Sequence, residues 1–207
     1  MNFESFHSRA AASAFVARQI IAALNAELAR ANTATLVVSG GTTPQACFAE
    51  LASSDLPWRR IKIALSDERE VPVDHPDSNQ RMLRTHLLTR RAAEAEYVDL
   101  SNLGTEAFAA VLVGMGEDGH FASIFPDADN LASAIALDNP AATIEVATAA
   151  SPHLRRSMTL ARLLNSHETI LLCFGAAKRT ILDAPENYPV ADLLQQDRSP
   201  VTVVWAE

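Results

Sequence analysis

The sequence predicts an α/β fold with a largely parallel sheet flanked by helices, and three observations carry that reading. Short apolar runs with strand character alternate with helical patterns along the chain. The polar and glycine-rich motifs follow directly on apolar runs, where open α/β sheets bind ligands. The chain has 207 residues and no shift in composition, so it reads as one domain, residues 1–207, with one sizeable core.

The elements follow in order. Ser8 to Ala31 carries Val16, Ile20, Leu24 and Leu28 at four-residue spacing among alanines, the pattern of an amphipathic helix. Ala34 to Ser39 reads as a strand and Pro44 to Leu51 as a helix. Thr43 is its expected N-cap, with Pro44 in the first helical position, where its missing N–H costs nothing. Ile61 to Ser66 alternates Ile61, Ile63 and Leu65 as a strand. Pro72 and Pro76 then stiffen the approach to a helix from Asn79 to Leu88, which Ser78 can cap. Arg90 to Thr105 is polar and has no clear period. Further strands are expected at Ala109 to Gly114, Thr143 to Ala147, Glu168 to Phe174 and Val201 to Trp205, with helices at Met158 to Leu164 and Ala176 to Leu182.

Composition narrows the function. With 48% hydrophobic residues, 20% charged residues and a formal net charge of -8, the chain is of the ordinary globular kind and disfavours nucleic acid or an anionic membrane as partner. A small anion can still bind in a locally positive pocket. Cys47 and Cys173 lie in apolar stretches without a second cysteine or a histidine at metal-ligand spacing, and read as reduced packing residues. Glu4 precedes the first apolar stretch and Arg18 interrupts it, unlike a signal peptide. The longest apolar run, Ala107 to Met115, is about half of a membrane span. A cytoplasmic enzyme or binding protein is expected.

Four motifs, the last of them Gly175-Ala176-Ala177-Lys178, sit at predicted strand ends and suggest one composite site. Five of the seven glycines lie in two of them. In Ser39-Gly40-Gly41-Thr42-Thr43-Pro44, the exposed amides before a helix either form an anion cradle, aided by the helix dipole, or only make a tight strand-to-helix turn. Asp67-Glu68-Arg69 alone fits a solvated strand end, but the stiff loop after it suits a positioned site. Gly114-x-Gly116-x-x-Gly119 matches the dinucleotide fingerprint literally. Glu117 and Asp118 would set carboxylates beside a pyrophosphate, however, and Pro126 closes the space for the long helix that fingerprint needs. The alternative is a turn that points Asp118 and His120 at a ligand, histidine being suited to proton transfer near neutral pH. Arg155 and Lys178 could be surface cations or could grip a phosphate.

Together these segments resemble the 6-phosphogluconolactonase family, which is related to glucosamine-6-phosphate deaminases. SGGTTP at Ser39 to Pro44, SDEREVPVDHPDSN at Ser66 to Asn79 and GMGEDGHFASIFP at Gly114 to Pro126 carry the resemblance. SPHLRRSMT at Ser151 to Thr159, GAAKRTIL at Gly175 to Leu182 and YPVADLL at Tyr188 to Leu194 support it. The resemblance implies a modified Rossmann-like fold, no metal or organic cofactor, and hydrolysis of 6-phospho-D-glucono-1,5-lactone in the pentose phosphate pathway. A phosphorylated sugar lactone is then the expected small-molecule partner. His120 resembles the base that activates water, Asp118 is placed to orient it, and Asp67 is a further catalytic candidate. Substrate and phosphate contacts would fall on Ser39, Gly40, Gly41, Thr42, Thr43, Arg69, Asn79, Arg155 and Lys178. Arg155 is preferred over Arg156 because the family pattern puts its arginine three residues after Pro152.

One departure is a shortened segment, Thr89 through Phe108, where relatives usually carry a longer insert. Two other readings use the same residues: an isomerase or amino-sugar phosphate deaminase, and a non-catalytic sugar-phosphate sensor. Deaminases of this kind typically follow the DGH turn with an Asn-Glu pair, whereas Ala122-Ser123 stands here. Retention of both Asp118 and His120 argues against a sensor.

Overall fold

The computed structural model describes Met1–Glu207. The chain opens with strand β1 (Asn2–Phe6) and helix α1 (Arg9–Leu28), whose start is capped by Ser8 accepting from the Ala11 amide at 3.2 Å. The four-residue stripe predicted for this helix is its buried face, with Val16, Ile20 and Leu24 fully covered. Strand β2 (Ala34–Val38) leads to helix α2 (Gln45–Ser53), which packs against α1. Next come β3 (Ile61–Leu65), β4 (Asp67–Arg69) and α3 (Asn79–His86), with Ser78 accepting from the Arg81 amide as its cap.

The remaining elements are β5 (Glu96–Tyr97), β6 (Ala110–Val113), α4 (Leu131–Ile135), β7 (Thr143–Val146), β8 (Arg155–Met158), α5 (Leu160–Leu163), β9 (Thr169–Phe174), α6 (Ala176–Asp183), α7 (Val190–Gln195) and β10 (Val201–Ala206). No helix is long and apolar enough to cross a membrane.

Seven strands form one sheet in the order β1-β10-β9-β6-β2-β3-β5, and every neighbouring pair is parallel. The α/β expectation therefore holds. The central strands β2, β6 and β9 are almost wholly buried, which is why they read as continuous apolar runs rather than alternating ones. From β2 the chain moves to β3 on one side, and from β6 it moves on to β9 on the other. That reversal opens a crevice between the carboxyl ends of β2 and β6, the place where such sheets bind ligands. Ser39 and Gly114 are the first residues beyond those two ends. Both cysteines are buried packing residues, and burial pushes the Cys47 thiol up to about 12 and the Cys173 thiol up to about 11.

Several boundaries differ from the sequence expectation. Helix α2 begins at Gln45 with Pro44 as the capping residue, and the Thr43 side chain makes no capping bond. The chain turns first, the Gln45 amide donating to the Thr42 carbonyl at 3.3 Å, and this shifts the helix start by one residue. Thr143–Val146 does not join the large sheet. It lies in a second, antiparallel sheet in the order β4-β8-β7. Asp67–Arg69 is itself a strand of that sheet, so its charges alternate between faces instead of forming a solvated loop. Met158 ends β8, and the helix expected from it shrinks to α5 under a Thr159 cap. Polar residues hid β1, β5 and β8. The Thr89–Phe108 segment supplies β5 as an edge strand against β3.

Candidate active site

The loop after β2 is shaped by close approach. An added Cβ on Gly40 would fall 2.0 Å from Asn79 Oδ1, and Gly41 has φ +90°, so both positions need glycine. Asn79 is fixed in turn by its side-chain amide donating to the Asp67 carbonyl at 2.9 Å. The backbone amides of Gly40, Gly41, Thr42 and Thr43 donate to no acceptor within the protein. All four residues line a cavity of about 240 Å³ together with Ser39, Asp67, Arg69, Asn79, His120 and Arg155.

The Glu68 carboxylate joins the DER strand to the DSN helix start. It accepts from the amides of Arg69, Asn79 and Gln80 at 2.7, 2.8 and 2.7 Å, and from the Ser78 hydroxyl at 3.2 Å. An anion there also complements the N-terminal end of α3. The neighbouring Asp67 is buried, and both of its carboxylate oxygens are occupied. Ser66 donates to Oδ1 at 2.7 Å and Ser123 to Oδ2 at 2.6 Å. Ser66 also shares a hydroxyl contact of 2.7 Å with Ser39. Sequence reading missed Glu68, Ser66 and Ser123 as supports. The one available signal was an acidic residue, Glu68, ten before the capping Ser78.

Two guanidiniums face this cavity. Arg155 Nη1 stands 3.3 Å from Ser123 Oγ and 3.9 Å from Asp67 Oδ2, with the group 5.0 Å over the Phe125 ring. Burial first, and then the nearby Arg69 charge, lower its pKa from the ordinary arginine value. Like charges in a half-buried cavity favour an anion between them. The Nε atoms of both Arg69 and Arg155 are buried without a partner. Arg156, by contrast, pairs outward with Glu70 at 3.1 Å.

The Gly114 to His120 turn closes on itself, the Gly116 amide donating to the His120 carbonyl at 2.8 Å. Gly119 has φ +73° and packs against Tyr188. No long helix follows, since Phe121 bridges to Ile124, so the dinucleotide reading of these glycines fails. His120 Nδ1 lies 2.5 Å from Asp118 Oδ1, and the ring stacks on Phe125 with centroids 4.1 Å apart. An ionised carboxylate only accepts, which assigns the proton to Nδ1 and leaves Nε2 with its lone pair. An added Cβ on Gly116 would meet His120 Nδ1 at 2.2 Å and Asp118 Oδ1 at 2.6 Å. Gly116→Ala is therefore expected to displace this pair and lower kcat roughly 10- to 100-fold. A kcat within twofold of wild type would contradict the arrangement.

Lys178 stands apart from this group. It lines an adjoining cavity of about 630 Å³ with Arg9 and Glu117, and the two cavities share Thr42 and Thr43. Asp118 contributes through His120 rather than by lining the first cavity.

The family model described as "Glucosamine-6-phosphate isomerases/6-phosphogluconolactonase" matches residues 7–106 and 90–206, nearly the whole chain. The chain belongs to this family. Within it, the 6-phosphogluconolactonase of Caulobacter vibrioides is 34% identical, with 100% of this chain and 98% of the relative aligned. That of Mesorhizobium japonicum is 35% identical over 99% of this chain and 95% of the relative. The crystal structure of a 6-phosphogluconolactonase from Shewanella baltica superposes with a TM-score of 0.92 at 30% identity, covering 100% of this chain and 98% of that one. These relatives fall on the lactonase branch of the family.

Proposed function

We propose that the chain hydrolyses 6-phospho-D-glucono-1,5-lactone to 6-phospho-D-gluconate, the phosphate held by the amides of Gly40 to Thr43 with Arg69 and Arg155, and His120 acting as base. One observation carries this reading: unpaired amides and guanidinium atoms line the same cavity as an imidazole oriented by a carboxylate. Such a cradle suits a dianion, and the imidazole suits a neutral carbonyl nearby. Lys178 adds positive charge from the adjoining cavity, across Thr42 and Thr43.

The chemistry needs one proton carrier. Nε2 of His120 takes a proton from water as the water oxygen adds to the lactone carbonyl carbon. Collapse breaks the bond to the ring oxygen, and the imidazolium returns the proton to that oxygen. Asp118 keeps the ring in the working tautomer and stabilises the transient imidazolium. Asp67 is already engaged by Ser66 and Ser123, which suits a supporting role beside Arg155 better than water activation. Ser123 at this position leaves no second free carboxylate for an isomerase or deaminase.

The phosphate changes little in charge during hydrolysis, so its contacts act on capture. Arg155→Ala is expected to raise KM roughly 10- to 100-fold, the worth of a charge-assisted hydrogen bond, with kcat nearly unchanged. Arg155→Lys should recover only part of this because it lacks the planar fork. A fall in kcat at constant KM would assign Arg155 to the transition state and overturn the phosphate role.

A further inference from the structure

We propose that His75, Asp77 and His153 form a binding site for one divalent transition-metal ion of the Zn²⁺ class, outside the cavity described above. The three side chains come from two segments far apart in sequence. His153 Nε2 lies 3.0 Å from Asp77 Oδ2, and His75 Nδ1 lies 3.9 Å from the same oxygen. One ligand atom from each residue falls within 4.8 Å of the others. Ligands held at about 2.0–2.2 Å from a tetrahedral ion stand about 3.4 Å apart, so small side-chain rotations complete the geometry. His75 Nδ1 accepts the Asp77 amide at 3.1 Å, so this nitrogen carries no proton, and an ion bound there exchanges that hydrogen bond for a metal bond. The two rings meet edge to face at 5.2 Å, so neither blocks the other.

The donor set decides the class of ion. Two imidazoles and one carboxylate, with water in the remaining position, suit Zn²⁺, Co²⁺ or Ni²⁺, whereas Mg²⁺ and Ca²⁺ prefer oxygen throughout. None of the three residues lines the cavity that holds His120, and the site owes nothing to the lactone reaction. Its position gives it a mechanical consequence. The Asp77 carbonyl accepts from the Arg69 guanidinium, the Glu70 amide donates to the Leu154 carbonyl at 2.8 Å, and His153 stands two residues before Arg155. A bound ion clamps the Pro72–Asp77 loop to the approach to β8, bracing both arginines from behind.

The test uses the full chain without a histidine tag, stripped by a chelator and titrated with Co²⁺ and then Zn²⁺. One equivalent of Co²⁺ is expected to bind with the visible absorption of a tetrahedral site, and Zn²⁺ should bleach it and raise Tm. Loss of an outer-shell partner alone weakens metal sites roughly 10- to 100-fold, so His153→Ala and His75→Gln should each lose at least that much affinity. His75 is 37% exposed, so His75→Gln is the variant that keeps the fold. His120→Asn should leave the titration unchanged. Absence of saturable binding at one equivalent in the wild type would overturn the site, and so would binding that survives in both His75→Gln and His153→Ala.

Discussion

His120→Asn is expected to lower the background-corrected rate of lactone hydrolysis roughly 10²- to 10⁴-fold while leaving the fold and the binding of 6-phosphogluconate intact. The size follows from the worth of one positioned base. The separation of binding from chemistry follows from the layout: the cationic and amide groups of the cradle come from the ends of β2 and from β4 and β8, whereas His120 comes from the turn after β6. Asparagine keeps polarity but has no nitrogen able to take the water's proton. Calorimetry with 6-phosphogluconate and a turnover assay on the same preparation read the two properties side by side. Near-normal turnover would move water activation to another group. Asp67 is the first to examine, although both its oxygens already accept hydroxyl protons.

The second large effect concerns the substrate. Gluconolactone without its phosphate leaves the Nε atoms of Arg69 and Arg155 and the free amides of Gly40 to Thr43 without a partner. Two charge-assisted contacts at about 1.5–3 kcal/mol each correspond to a loss of roughly 10²- to 10⁴-fold in kcat/KM. The loss should be greater than that from Arg155→Ala, which removes only one partner. Side-by-side kinetics on freshly prepared lactones measure it. Comparable kcat/KM values for the two lactones would remove the phosphate from the account.

Much of this site was legible in the sequence because its residues sit where the fold's own grammar puts ligands. Four polar motifs follow apolar strand runs, and the glycines at 40, 41, 116 and 119 are each required by close contact or by a positive φ. The arrangement of Asp118 and His120 could be guessed from a turn, but their 2.5 Å contact depends on Gly116 giving way to the ring, which only coordinates reveal. The supporting hydroxyls were invisible for a different reason. Ser123 and Ser66 are 57 residues apart in numbering and meet only through the two oxygens of Asp67, a long-range pairing with no local period. The small antiparallel sheet escaped for another reason, although its β7 was expected as a strand. Its strands carry Arg155, Arg156, Glu68 and Arg69, charges that mark loops in most contexts. Position in the sheet also separates Lys178 from its expected companions, since α6 follows β9, one strand beyond the β2–β6 crevice.

If this cavity opens a phosphorylated lactone, fresh 6-phospho-D-glucono-1,5-lactone releases acid faster in its presence. Purified wild-type chain is mixed with the lactone at constant pH, and base consumption is followed against a blank that records spontaneous hydrolysis. Acid release is expected well above the blank, proportional to protein concentration and inhibited by added 6-phosphogluconate through occupancy of the same cradle. A rate indistinguishable from the blank at every protein concentration would contradict it.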